Sequence, residues 1–192
     1  MEKQLILASA SPRRSELFTL AGFEYKIVPS NADELTEGES AFVVCENARR
    51  KASDVFSKCE KGCVVVGADT VVCVGNEILG KPNGVEGAKE MLSLLSGSVH
   101  KVLTGYSVIS DLGEDFGVCE TKVYFKDLTE KDIEDYIATN EPFDKAGSYA
   151  IQEKGSLFIK KIEGDYFNVI GLPVCELSEL LKKHGIVPDW QK

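Results

Sequence analysis

Segment 5–14 constrains the fold of this chain more than any other stretch, because an apolar run passes directly into a turn and a helix. Leu5-Ile6-Leu7-Ala8 predicts a short buried strand, and 15–20 have helical spacing that ends at Gly22. Strand and helix patterns continue to alternate through the first half of the chain. This alternation predicts an α/β sheet with parallel strands.

The turn between that strand and helix has the composition of a phosphate site. The start of a helix exposes backbone N–H groups, and its dipole favours an anion. Ser9 and Ser11 add hydroxyl donors, Pro12 suits a first helical position, and Arg13 and Arg14 add forked guanidinium groups that fit phosphate oxygens. The chain's other arginines form a second pair, Arg49-Arg50, for which a phosphate role and a solvated helix face both stay open.

Further elements follow from periodicity and from turn residues. The pattern predicts an acidic loop at 30–39, a helix from a capping Ser40 to about Lys58, and a helix beginning with a capping box at Thr129. It also predicts strands at 24–29, 63–74, 77–79 (after a Gly75-Asn76 turn), 101–110, 116–128, 147–152 and 157–162, and helices at 85–95 and 172–184. His184 is expected at the surface. Without a repeat or linker, 1–192 is predicted to be a single domain.

Asp69 is the strongest candidate for a catalytic residue. It follows the apolar run 64–68, where an ionisable group is costly unless something compensates its charge. A carboxylate in this position could deprotonate water, hold a divalent cation, or do both. An aspartate that ends a strand and caps the next turn is the alternative, and Thr70 beside it could position substrate or simply continue the strand.

Segment 75–81 satisfies the pattern Gly-x4-Gly-Lys but is not predicted to be a P-loop. Pro82 stands where a P-loop has the Ser or Thr that binds magnesium, and Ile78 and Leu79 favour a strand. Lys81 could still reach a phosphate as a point charge. An exposed turn lysine is the other interpretation.

Composition limits the classes of partner. The net charge of −9 argues against general binding to nucleic acid or to anionic membranes, which requires a basic surface. No apolar stretch has the length needed to cross a bilayer, and the first residues lack a signal-peptide pattern. A cytoplasmic location is the expectation.

Several motifs, in order from residue 5 to about 182, resemble the Maf family of nucleoside triphosphate pyrophosphatases, also called septum-formation-inhibitor-like proteins. The matching segments are Ser9-Ala10-Ser11-Pro12-Arg13-Arg14, Gly67-Ala68-Asp69-Thr70, Leu79-Gly80-Lys81-Pro82, Leu95-Ser96-Gly97, Val102-Leu103-Thr104-Gly105, Glu141-Pro142-Phe143-Asp144-Lys145-Ala146-Gly147, Ile162-Glu163-Gly164 and Gly171-Leu172-Pro173.

The resemblance implies hydrolysis between the α and β phosphates, which gives a nucleoside monophosphate and pyrophosphate. It implies a mixed, twisted α/β sheet flanked by helices, with two lobes around a deep cleft, similar to inosine triphosphate pyrophosphatases. Asp69 would activate water, and Asp69 with Glu34 would contact a divalent metal, Mg²⁺ or Mn²⁺. The triphosphate would be held by Ser9, Ser11, Arg13, Arg14, Lys51 and Lys81. A homodimer is what the family suggests.

The tract 145–152 is similar to the branch of the family that acts on dTTP, UTP and modified uridine triphosphates. Arg13, Thr70 and Gln152 would determine specificity, and the Gln152 amide can both donate to and accept from the edge of a uracil or thymine ring. Glu153 stands where this branch usually has glycine. Two alternatives stay open: a non-catalytic nucleotide-binding regulator of cell division, and a pyrophosphatase for a modified purine triphosphate.

Overall fold

The computed structural model describes residues 3–75 and 77–192. Within these residues the strands are β1 Gln4–Leu7, β2 Lys26–Ile27, β3 Cys63–Val74, β4 Glu77–Leu79, β5 Val99–Ser110, β6 Gly113–Phe125 and β7 Ile159–Glu163. The α-helices are α1 Pro12–Leu20, α2 Ser40–Phe56, α3 Gly84–Leu95, α4 Glu130–Ile137, α5 Tyr166–Ile170 and α6 Val174–Lys183. Short 3₁₀ turns lie at Glu141–Asp144, Ala146–Ser148, Lys154–Phe158 and Asp189–Gln191.

The strands form one mixed sheet in the order β2-β1-β3-β5-β6-β7, and β4 pairs with β3 off this path. β1 is parallel to both β2 and β3, with Leu5 opposite Val64 in the β1–β3 register. β4 runs antiparallel to β3, and β7 runs antiparallel to β6. These pairings confirm the predicted α/β class and its mixed sheet.

The chain divides into two compact units. The first comprises the described residues of Met1–Asp69 together with Thr104–Cys119 and Gly171–Lys192. Its core is built around Leu7, Phe18, Val44, Val65 and Leu177, all nearly inaccessible to solvent.

The second unit comprises Thr70–Leu103 and Glu120–Ile170. Its core joins aliphatic side chains of α3 and β6 to an aromatic cluster that includes Phe125, Tyr136 and Tyr149. The alternation predicted for β6 is confirmed here, since Thr121 and Phe125 are buried while Lys122 is exposed. The Thr129 capping box is also present at the start of α4.

Some sequence predictions are wrong. The segment 147–152 is not a strand, because Gly147 and Ser148 have φ angles of +68° and +62°, which belong to left-handed backbone. Glu39, rather than Ser40, caps α2, with its carboxylate accepting from the N–H groups of Ala41 and Phe42. Asn76 of the predicted Gly75-Asn76 turn lies outside the described residues.

His184 is buried rather than exposed. Its Nδ1 lies 2.6 Å from Ser110 Oγ, and its Nε2 lies 3.0 Å from Asp115 Oδ2. The residue that follows α6 therefore contacts the end of β5 and the start of β6 through polar groups, which helix periodicity could not reveal. Over the described residues, no helix has the length and apolarity that a membrane span requires.

Candidate functional site

The turn between β1 and α1 has the predicted form. The Ala8 N–H donates to Val66 O at 2.7 Å, which ties the end of β1 to β3. Ser11 is the extended residue before α1 and Pro12 is its first helical residue. Within the described part of the chain, the Ser11 side chain does not cap the helix, so its hydroxyl is not committed to the helix terminus.

Arg14 is fixed in position by its own guanidinium group. Its Nε donates to Gly171 O at 2.8 Å and its Nη1 donates to Ser9 Oγ at 3.1 Å. Burial lowers the pKa of Arg14, the negative charges of Asp69 and Glu34 raise it, and Arg13 lowers it further. The guanidinium therefore lies within electrostatic reach of both candidate carboxylates, and it remains a cation because its ordinary pKa is far above neutrality.

Asp69 is buried, as its position after an apolar run predicted, and each of its carboxylate oxygens accepts a hydrogen bond. Lys51 Nζ donates to Oδ1 at 2.8 Å, and Asn47 Nδ2 donates to Oδ2 at 2.9 Å. The ion pair with Lys51 offsets the cost of burying the charge, and the two contacts fix the plane of the carboxylate.

Close packing of α2 against the sheet brings Asn47 and Lys51 to Asp69. A Cβ atom on Gly67 would lie 2.2 Å from the Ala48 carbonyl oxygen and 2.7 Å from the Ala52 N. Only glycine in the strand allows the helix backbone this near. Residues four apart share one face of a helix. Asn47 and Lys51 therefore project together toward Asp69, which lies two positions after Gly67 in the strand.

The acidic loop 30–39 is anchored to the same helix. Asn47 Oδ1 accepts from the Leu35 N–H at 2.7 Å, and Asn47 Nδ2 donates to the Leu35 carbonyl at 2.9 Å. Asp54 accepts from Ser30 Oγ and from the Asn31 N–H, each at 2.9 Å. The loop thus brings Glu34 Oε1 to 3.0 Å from Lys51 Nζ.

Sequence reasoning missed Asn47. Asparagine is a poor helix former, and here it falls on the buried face of α2 with Val44, Ala48 and Ala52. A polar amide among the apolar residues of a buried helix face needs hydrogen-bond partners. The position of Asn47 on this face was therefore the sequence signal that could have identified it.

The oxygen donors in this cluster suit a hard divalent cation. Glu34 and Asp69 both place a carboxylate oxygen within 3.0 Å of the single Lys51 ammonium nitrogen. No group of three or more His, Cys, Asp or Glu side chains arranged for a metal occurs in the described residues. Mg²⁺ commonly binds through one or two carboxylates together with substrate phosphates, so the Glu34–Asp69 pair fits it.

Arg13, in the first turn of α1, belongs to the first unit, whereas Thr70, Lys81 and Gln152 belong to the second. Thr70 is half-buried in β3, Lys81 is exposed after β4, and Gln152 is exposed in a turn that follows the buried Tyr149. Within the first unit, hydrogen bonds connect Ser9 with Arg14 and with the Ser11 N–H, and ion pairs connect Lys51 with Glu34 and Asp69. The negative charges of Asp69 and Glu34 act on Arg14 through space and raise its pKa.

The second arginine pair forms surface ion pairs. Arg49 makes two 2.9 Å hydrogen bonds to the carboxylate of Glu114 and lies 4.6 Å over the ring of Phe116. Arg50 donates to Glu46 at 2.9 Å. Of the two interpretations left open for this pair, the helix-face interpretation accounts for these contacts.

Comparison with known proteins finds relatives that match nearly the whole chain. A protein from Alkaliphilus oremlandii (strain OhILAs) named dTTP/UTP pyrophosphatase is 48% identical over 188 residues, covering 95% of this chain and 96% of the relative. Proteins of the same name from Geobacillus sp. (strain WCH70) and Thermococcus kodakarensis (strain ATCC BAA-918 / JCM 12380 / KOD1) are 49% and 47% identical. These alignments cover 95% and 94% of this chain, and 99% and 96% of the respective relatives.

The family comparison agrees with the resemblance found in the motifs. The family model described as Maf-like protein matches residues 4–184, a span that contains every candidate site residue. Together with relatives nearly half identical over almost their full length, this match shows that the chain belongs to the Maf-like protein family.

Proposed function

We propose that this protein is a nucleoside triphosphate pyrophosphatase that hydrolyses dTTP, UTP and modified uridine triphosphates to the monophosphate and pyrophosphate, and so maintains the nucleotide pool. The observation that carries the proposal is the buried Asp69 carboxylate, held by Lys51 and Asn47 within electrostatic reach of Arg14. Membership of the Maf-like family and the names of the relatives support the reaction and the substrates.

Asp69 is proposed as the general base. It would take a proton from a water molecule whose oxygen attacks the α-phosphorus, and the bond from that phosphorus to the bridging oxygen would break to release pyrophosphate. Pure nucleotide binding has no need for a fixed, buried carboxylate. Holding Asp69 between Lys51 and Asn47 limits its rotation and keeps one orientation toward the attacking water.

The cationic groups are proposed to hold the triphosphate. Arg14 is already fixed by Ser9 and by the Gly171 carbonyl, so little side-chain entropy remains to be lost on binding. Arg13, Ser11, Lys51 and the exposed Lys81 are the further phosphate ligands in this proposal. Positioning and charge stabilisation of this kind dominate phosphoryl chemistry.

Glu34 and Asp69 are proposed to hold a divalent cation, Mg²⁺ or Mn²⁺. When bound, such an ion neutralises phosphate charge and favours departure of pyrophosphate. Lys51 contacts both carboxylates, and the third N–H of its ammonium group is proposed to donate to a phosphate oxygen.

Base selection is assigned to Gln152, with Arg13 and Thr70. The Gln152 amide is exposed, and its donor and acceptor match the carbonyl–imide edge of uracil and thymine. Glu153 beside it is ion-paired with Lys145 at 3.4 Å, so part of its charge is compensated within the second unit.

The protein is proposed to act in the cytoplasm as a homodimer, without a nucleic-acid partner. The net charge of −9 supports the last point, since a nucleic-acid surface requires clustered positive charge. Sedimentation equilibrium at micromolar concentration tests the dimer.

The function is tested by measuring turnover of dTTP, UTP, 5-methyl-UTP, 7-methyl-GTP and ITP with Mg²⁺ or Mn²⁺, with the products separated. Pyrophosphate and monophosphate, formed fastest from dTTP or UTP, are expected. Preference for 7-methyl-GTP or ITP would confirm the pyrophosphatase reaction but contradict the proposed preference for thymine and uracil nucleotides. Binding without turnover of any substrate would favour a regulator.

A further inference from the structure

The loop 149–155, which carries Gln152, is anchored by a buried carboxylate outside the proposed catalytic cluster. Glu141 Oε1 accepts from the Gly155 N–H at 3.0 Å, and Oε2 accepts from the Lys154 N–H at 3.1 Å. Tyr136 OH donates to Oε1 at 2.7 Å. The Glu141 side chain thus connects the end of the loop to α4.

Glu141 is charged despite its burial. Burial raises the pKa of the Glu141 carboxyl, but hydrogen bonds from Tyr136, Gly155 and Lys154 outweigh that effect and leave the pKa below its ordinary value. An ionised carboxylate accepts hydrogen bonds on both of its oxygens, whereas a glutamine amide of the same size accepts on one oxygen only. The loop is therefore fixed by charge-assisted bonds to its backbone.

The start of the same loop has a separate anchor. Tyr149 OH lies 2.7 Å from His100 Nε2, and the Tyr149 ring centroid lies 4.8 Å from that of Phe125 in an edge-to-face contact. Both anchors are buried, whereas Gln152 between them is exposed. An exposed side chain on a loop fixed at both ends is suited to presenting one orientation to a ligand.

Lys145 connects Glu141 to Glu153, the residue that follows Gln152. Its buried Nζ donates to the Glu141 carbonyl oxygen at 3.0 Å and to Asp144 Oδ1 at 2.7 Å, and it lies 3.4 Å from Glu153 Oε1. The backbone and the side chain of Glu141 therefore contribute to holding the residues on the C-terminal side of Gln152.

We propose that Glu141 is a positioning residue for base selection: it holds loop 149–155 so that the Gln152 amide meets the pyrimidine edge in one orientation. The inference rests on the proposed function, and it assigns to Glu141 a share of the discrimination between bases rather than of the hydrolysis step.

Glu141→Gln tests this role with little change in volume. The glutamine amide has one oxygen, so it can accept at one side only, and its NH₂ group must face the other backbone N–H. At least one of the Lys154 and Gly155 N–H groups loses its acceptor, which weakens the attachment of the loop without leaving a cavity at position 141.

The experiment compares kcat/KM for dTTP and dCTP, which differ at the base edge, in the native protein, Glu141→Gln, Gln152→Ala and the double variant. We expect Glu141→Gln to lower the dTTP/dCTP ratio by roughly tenfold, the size of a lost hydrogen bond. The double variant should show no further loss beyond Gln152→Ala, because Glu141 acts through Gln152. Glu176→Gln is the matched control, since Glu176 also accepts from a tyrosine, Tyr106, at 2.6 Å but lies in the first unit.

Equal losses for dTTP and dCTP in Glu141→Gln, additive losses in the double variant, or an unchanged ratio in Gln152→Ala would each overturn the inference. If Glu141→Gln does not fold, Tyr136→Phe removes the bond from α4 that orients the Glu141 carboxylate, so that Glu141 holds the Lys154 and Gly155 N–H groups less firmly. It should lower the ratio by about threefold, and an unchanged ratio would overturn the inference. Absence of triphosphate turnover in the native protein would instead reject the proposed function.

Discussion

At the scale of single residues, Asn47 connects three parts of the first unit's candidate site. Its amide holds the backbone of Leu35 in the acidic loop through two hydrogen bonds and the Asp69 carboxylate through a third. Each of these groups is costly to leave without a partner, at roughly 1–3 kcal/mol. Asn47 therefore supports both the loop that carries Glu34 and the orientation of Asp69.

Asn47→Leu should lower the melting temperature and reduce dTTP turnover by at least about tenfold, since an apolar side chain of similar size leaves these groups unpaired. Differential scanning fluorimetry and a pyrophosphate-release assay measure the two effects. Asn83→Leu is the control, because in the described structure the exposed Asn83 side chain makes no capping bond to α3. Native stability and turnover in Asn47→Leu would contradict this role.

The sequence predicted the burial of Asp69 but not the role of Asn47, and the reason is physical. The burial of a carboxylate that directly follows an apolar run can be predicted from the local sequence, and the structure confirms it for Asp69. The partners of Asn47 lie 12 and 22 positions away in the chain, so no local pattern predicts them.

At the scale of elements, the approach of α2 to the sheet determines the geometry around Asp69. Gly67 and Gly105 both lie against the α2 backbone, and a Cβ on Gly105 would come within 2.2 Å of the Val44 carbonyl oxygen. The helix can occupy this position only while both strands lack side chains at the contact.

Gly67→Ala should push α2 away from β3 and cost about 1–3 kcal/mol, the usual range for an overpacked core. Turnover should fall as well, because Asn47 and Lys51 move with the helix. Urea denaturation and steady-state kinetics measure both quantities. Gly87→Ala is the matched control: its Cβ would meet no atom nearer than 3.5 Å, and alanine favours the interior of α3. Equal stability of the two variants would show that the α2 backbone does not pack against Gly67 as closely as in this structure.

Element prediction was accurate where periodicity carried the signal. α2, β3 and β7 lie close to their predicted positions, whereas the strand that the run Tyr149-Ala150-Ile151 predicts within 147–152 is absent from the described structure. The left-handed φ angles of Gly147 and Ser148 prevent an extended chain there. The resulting turn leaves Gln152 exposed rather than alternating in a sheet.

At the scale of the whole molecule, stability should depend on pH through His100. Burial lowers the pKa of His100 from its ordinary value near 6.5 to about 4. Between those values the unfolded chain binds a proton that the folded chain does not, so stability falls as pH decreases from about 6.5 toward 4. One such group changes the free energy of unfolding by at most about 1.4 kcal/mol per pH unit.

His100→Gln should remove this contribution. We expect the native protein to lose more stability than the variant between pH 7 and pH 5, as measured by urea denaturation at each pH. Other acid-sensitive groups are common to both proteins and cancel in the comparison. Parallel pH profiles for the two proteins would show that His100 does not titrate in this way.

The most direct test of the account is pyrophosphate release from dTTP by Asp69→Asn, with nucleotide affinity measured in parallel by calorimetry. Asparagine keeps the size of the side chain but removes the proton acceptor. Turnover should fall by roughly 10²- to 10⁴-fold while dTTP still binds, the loss typical of a missing general base. Asp135→Asn, which changes an exposed carboxylate on α4, should behave as the native protein. Native-like turnover by Asp69→Asn would contradict the central claim that this carboxylate activates water.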